Sequence, residues 1–302
     1  MRKHRIIKAL AVIISVLGLG LIGSNVNQIS HVTPTITAYA KDTEAGLTNR
    51  IANFAAQRQQ YYYPQITYNT RDLGGLRTKN GKYEIKPHML YRSANLHYIT
   101  PDGVNEVNHL RIHNDIDLRQ MYGPNVSIHT KPQPGEFHLM PSKGLHIHYY
   151  QYAVEDSKEE AETWPIRKRL GETYRFGYWH TKSPTARKAY HDSIMEMIRN
   201  GRNPRRNGAL MFNCTQGRDR TGVLAAITEY ILGMSKATIY NDFLLTNYYK
   251  YQSPYMDQIS RINRFYDTVD KNYGNMWNYV RYGLNLSYND INTLRHEYLK
   301  RI

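Results

Sequence analysis

Cys214 is the only cysteine in the chain and stands in the stretch "NCTQGRDRTG", residues 213–222. Arg220 follows six positions later, with Gly217 between them and Thr221 directly after. A loop that leaves a strand and opens a helix presents free backbone N–H groups to an anion, and the helix dipole adds to the attraction. Gly217 can take the left-handed backbone conformation that lets such a loop curl round a tetrahedral oxyanion. The curl can return the Arg220 guanidinium to the sulfur, where it grips two oxygens in a fork. The same surroundings favour the thiolate, the nucleophilic form of cysteine. The expected chemistry is attack by Cys214 on a bound phosphate ester, followed by hydrolysis of the phosphocysteine by water. Thr215, Gln216, Gly217, Arg218, Asp219 and Arg220 would hold the phosphate, and Thr221 could hydrogen-bond the sulfur. Neither a metal nor an organic cofactor is needed. A buried structural cysteine is the usual fate of a lone thiol, but it would explain neither Gly217 nor Arg220.

The elements on either side suit this role. "ALMF" (209–212) reads as a short buried strand. "TGVLAAITEYILGM" carries Leu224, Ile227 and Ile231 at helical spacing and ends at Gly233. Upstream, "TKNGK" supplies an Asn-Gly turn, "TPDGVNEVNHLRIH" reads as a helix capped by Thr100, and "NDIDLRQ" and "GLHIHYYQYAV" read as strands. "SPTARKAYHDSIMEMIRN" predicts a helix with Ser183 as cap and Pro184 in its first turn. Residues 41–60 read as a short helix or lead-in, 121–143 as loop, and "RNPRRNG" as a basic loop. From residue 235 to the C-terminus the pattern is helical, with tyrosines on apolar faces. The expected fold is α/β, a mostly parallel central sheet flanked by helices with a helical C-terminal part.

C-x5-R followed by Thr-Gly is the signature of cysteine-dependent phosphatases, and "CTQGRDRTG" is similar to the Cys-x-x-Gly-Lys-Asp-Arg-Thr-Gly loop of the bacterial tyrosine and dual-specificity phosphatase family. "NTRDLGG" (69–75), "LYRSANL" (90–96), "IDLR" (116–119), "NDFLLTNYY" (241–249) and "YGNMWNYVRYGLNLS" (273–287) resemble that family's other blocks. The resemblance covers roughly residues 60–300. It implies a phosphatase of phosphotyrosine proteins, with phosphoserine, phosphothreonine and phosphoinositides as further substrates. Three positions depart from the family: Asn213 stands where His is common, Gln216 where Ala is usual and Arg218 in place of Lys. In that family the Asp inside the loop is the general acid, which maps onto Asp219. From the residues alone, Asp219 reads equally as a structural carboxylate paired with Arg71, Arg92 or Arg119. The Trp164-Pro165-Ile166 stretch lacks the carboxylate that larger tyrosine phosphatases place after Trp-Pro. Arg71, Asp72, Arg92, Asp117 and Arg119 are candidates for the rim of the site, Asp72 and Asp117 as braces of neighbouring loops. Inositol polyphosphates are an alternative substrate class, and a catalytically weak phosphate-binding envelope protein is the reading from outside enzymology.

The chain has 302 residues and a net charge of +15. It opens with a basic stretch, Arg2 to Lys8, and an apolar run from Ala9 to Gly23, the layout of a secretory signal. Cleavage is expected after Ala38-Tyr39-Ala40, with an uncleaved anchor as the alternative. Removing these 40 residues takes away four basic and no acidic side chains, leaving 262 residues, a charge of +11 and a single phosphatase domain. The secreted form would have no internal disulfide, because one cysteine cannot make one. A basic surface suits phosphorylated substrates and loose association with anionic membrane or cell wall. No nucleic-acid motif is present, and the 13 histidines show no metal-ligand spacing.

Overall fold

The computed structural model describes residues 43–96, 99–119, 145–154, 172–251 and 255–302. The leader, the 121–143 loop and Trp164-Pro165-Ile166 lie outside them. The first described element is helix α1 (Glu44–Gln57), where Thr43 Oγ1 accepts from the Gly46 N–H and the apolar residues Leu47, Ile51 and Ala55 recur on the buried face. Strands β1 (Arg71–Asp72), β2 (Tyr83–Ile85) and β3 (Leu90–Ala94) follow. The Asn80-Gly81 turn sits before β2, and Gly81 adopts φ +68° there. Helix α2 (Pro101–His109) starts where expected, with Thr100 Oγ1 accepting from the Gly103 N–H.

Strands β4 (Ile112–Asp117) and β5 (His148–Gln151) lead to helix α3 (Glu172–Lys182), for which the sequence offered no clear periodicity. Helix α4 (Pro184–Gly201) is capped by Ser183, whose hydroxyl accepts from the Ala186 N–H. The basic stretch after it is not a plain loop. Asn203 caps a single helical turn, α5 (Pro204–Asn207), and Gly208 ends it at φ +71°. Strand β6 (Ala209–Cys214) and helix α6 (Asp219–Ile231) flank the cysteine loop. Helices α7 (Lys236–Thr246), α8 (Tyr255–Tyr273), α9 (Met276–Asn278) and α10 (Tyr288–Tyr298) form the helical C-terminal part. The last residues leave the helical pattern: β7 (Leu299–Arg301) pairs antiparallel with β2.

The main sheet has the order β1-β3-β6-β4-β5. All pairings are parallel except that of the short edge strand β1 with β3. Strand β6 is central and alternates between two cores. Leu210, Phe212 and Cys214 face the larger cluster, packed with α1, α4, α6, α7, α8 and α10, whereas Ala209 and Met211 face the smaller one with Val104 and Val107 of α2. Both faces are therefore covered, which is why "ALMF" reads as a continuous apolar run. The protein is an α/β fold with helices on both sides of a mostly parallel sheet. Its Cys214 stands at the carboxyl end of a central strand, where sheets of this kind bind ligands.

Candidate active site

Cys214 is the last residue of β6 and is buried, aligned with Ala94 of β3. The chain then turns through Thr215 to Arg218 and enters α6 at Asp219, so the first N–H groups of that helix point at the loop. Gly217 has φ +65°, and a Cβ there would sit 2.3 Å from the Ser93 carbonyl oxygen. Both the left-handed conformation and the close approach exclude a side chain. The loop returns Arg220 as the spacing predicts: its Nη2 donates to Thr215 Oγ1 at 3.2 Å, one residue from the sulfur. Thr221 is buried, and its hydroxyl has no hydrogen-bond partner among the described residues, which leaves it available to the reacting groups.

Three side chains hold the outer carbonyls of this loop. Asn69 Nδ2 donates to the Gln216 and Gly217 oxygens at 2.9 and 3.1 Å, Arg92 Nη2 donates to the Gly217 oxygen at 2.9 Å, and Asn95 Nδ2 donates to the Thr215 oxygen at 2.6 Å. These bonds hold the carbonyls of Thr215, Gln216 and Gly217 on the outer side of the loop.

Beneath the loop lies a buried charge network. Asp242 of α7 accepts from Arg71 Nε at 2.8 Å and from Arg92 Nη1 at 2.5 Å, and its backbone oxygen accepts from Arg71 Nη2 at 2.8 Å. Burial alone would raise the Asp242 carboxyl, but Arg71 and Arg92 hold it well below the usual carboxylate range. Glu229 of α6 lies against Asp242. Burial first, and then the Asp242 charge, push Glu229 well above the usual range, so it keeps its proton and shares it with Asp242. This accounts for two Glu229 oxygens that no protein N–H reaches among the described residues. Arg71, Arg92 and Asp72 are thus buried supports under the site rather than its rim. Asp72 accepts the Gly74 and His88 N–H groups at 2.7 and 2.6 Å and braces that turn. Asp117 accepts from Arg119 and from Tyr149 Oη, the latter at 2.5 Å, and holds the end of β4.

Asp219 has none of the partners the sequence suggested for it. Arg71 and Arg92 are committed to Asp242, and Arg119 to Asp117. The carboxylate instead faces Arg218 at 3.1 Å and Arg261 of α8 at 3.5 Å, and stays about a quarter exposed at 27 %. The Arg261 contact could not be read locally, because α8 comes 42 residues later. Arg218 forks onto Asp219 with Nε and Nη2, the planar geometry that Lys at this position would lack.

Asn213, where the family commonly has His, donates through Nδ2 to both Asp115 oxygens at 2.7 and 2.9 Å. Burial, with the Asp117 charge adding to it, pushes Asp115 up to about 8. An unfolded Asp titrates near 3.9, so between about pH 4 and 8 the folded chain holds a proton that the unfolded chain has released. Stability from this group is full in acid, falls as pH rises through that window, and levels off above it. Asp115→Asn should therefore gain stability over wild type progressively from pH 5 to 8.5, as read from urea midpoints. Parallel pH profiles for the two proteins would contradict this.

The fold and loop together define a phosphate-ester-binding α/β enzyme. The tyrosine phosphatase family model matches residues 64–300, and the chain belongs to that family. It is a phosphatase. No curated protein matches the chain significantly.

Proposed function

We propose that the chain is a secreted, cysteine-dependent phosphomonoesterase that acts on phosphotyrosine, with phosphoinositide headgroups as a second substrate class. The observation that carries this reading is Cys214 at the end of the central strand, with Arg220 folded back to Thr215 over an anion-binding loop. The Cys214 thiolate attacks phosphorus, the P–O bond to the leaving group breaks, and the leaving oxygen takes a proton from Asp219. Water then attacks the phosphocysteine and gives its proton to Asp219, while the P–S bond breaks and restores the thiolate. Arg220 and the loop N–H groups carry the growing charge on the equatorial oxygens. The cationic pair Arg218 and Arg261 beside Asp219 favours substrates with further negative charge. Export rests on the basic and apolar start of the chain and on Ala38-Tyr39-Ala40.

The acid assignment has its own test. Asp219→Asn should slow alkyl phosphates about 10² to 10⁴-fold and leave activated aryl phosphates, whose leaving groups need no proton, much less affected. Equal slowing of both would reduce Asp219 to a brace for Arg218 and Arg261.

A further inference from the structure

The basic stretch after α4 and the histidines ahead of β5 have no part in the chemistry above, yet the fold brings them together. They line a cleft of about 870 Å³, a size typical of small-molecule sites. The cleft opens at the amino ends of β4 and β5, where Asn114 is aligned with His148. Cys214 lies at the opposite end of the sheet. Five residue steps along β6 separate its two ends, roughly 17 Å at the ordinary strand rise.

The base of the cleft is braced by side-chain amides. Asn114 Nδ2 donates to Asn200 Oδ1 at 2.9 Å and to the Asn207 carbonyl at 2.7 Å. Asn200 Nδ2 donates to the Gly208 carbonyl at 3.1 Å, and Asn207 Nδ2 to the Asn200 carbonyl at 3.0 Å. These amides tie β4, α4 and α5 into one frame. The walls carry the imidazoles of His113, His146 and His148 and the guanidiniums of Arg199 and Arg206. Among the described residues, the only carboxylate in the lining, Glu196, is ion-paired to Arg199. The Arg206 guanidinium has no hydrogen bond or ion pair among the described residues, and the ring nitrogens of the three histidines make no hydrogen bond there either. Among the described residues no three His, Cys, Asp or Glu side chains are grouped to hold a metal ion.

A concave, amide-braced site with unused N–H donors and excess positive charge matches an anion rather than a cation. Each imidazole offers at least one N–H and Arg206 a planar fork, which suits the oxygens of a phosphoryl group. We propose that this cleft is a second anion site, separate from the Cys214 loop, that takes a phosphate or phosphodiester group without hydrolysing it.

The purified wild-type protein should bind two inorganic phosphates per chain in equilibrium dialysis. Arg206→Ala/His146→Ala/His148→Ala, which alters only outward-facing side chains, should bind one and still turn over p-nitrophenyl phosphate, showing that it is folded. Arg220→Ala should lose the other. A parallel arm measures sedimentation with phosphatidylglycerol vesicles against phosphatidylcholine vesicles. At least a tenfold weaker association of the triple variant with the anionic vesicles would assign the site to lipid phosphodiesters. Unchanged vesicle binding together with loss of one free phosphate would assign it to soluble phosphates. If the triple variant matches wild type in both arms, the cleft is not an anion site.

Discussion

Replacement of Cys214 by serine is expected to abolish turnover of p-nitrophenyl phosphate, by ~10⁴-fold or more, the scale on which loss of an activated nucleophile acts. The hydroxyl of serine has no accessible anionic form near neutral pH, and no other cysteine can substitute. Phosphate binding should survive, because the loop N–H groups and Arg220 are untouched. Arg220→Ala should damage both, since it removes the fork that binds the ground state and stabilises the charge of the transition state. Phosphate release and phosphate affinity are measured separately for each variant. A Cys214→Ser protein that releases phosphate at near wild-type rate would show that another group is the nucleophile.

Asp242→Asn should cost about 3–5 kcal/mol of unfolding free energy, the penalty for breaking a buried ion pair by removing one partner. Its carboxylate is the shared acceptor for Arg71 and Arg92, both essentially without solvent contact. Glu229 moderates the loss. With Asp242 neutralised, nothing repels the Glu229 charge, and this carboxyl can ionise to balance the two guanidiniums. Glu229→Gln alone should be nearly neutral at pH 7, since it replaces a group already uncharged, and Asp242→Asn should be worse in that background than in wild type. Urea unfolding of the two single variants and the double variant gives the coupling directly. A strictly additive pair would mean that Glu229 does not respond to Asp242.

The candidate phosphate loop was readable from residues 209–233 because its signals are local: an apolar run, a glycine that must be left-handed and an arginine at the right offset. Thr100 and Ser183 announced helix starts for the same reason, their hydroxyls capping N–H groups only three residues away. The supports beneath the loop were hidden because nothing near Arg71 or Arg92 names Asp242, 171 and 150 residues away. The "NDFLLTNYY" block contains that aspartate, but its pairing is a property of the fold. Arg71 and Arg92 thus passed for rim residues, since arginines are seldom so deeply buried. The strand β7 was missed because "LKR" continues the polarity of the preceding helix and is extended only through pairing with β2.

The outer braces of the phosphate loop also set an order of events. Asn69 and Arg92 reach Gly217 across 148 and 125 positions, and Asn69 also donates to Thr246 Oγ1. Such distant closures come late in folding, after the entropy of long loops has been overcome. A chain still emerging from synthesis has Cys214 and Arg220 before it has Thr246 and Asp242 of α7, which anchor the braces of their loop. On the proposed chemistry, hydrolytic competence is expected to appear only once α7 has docked.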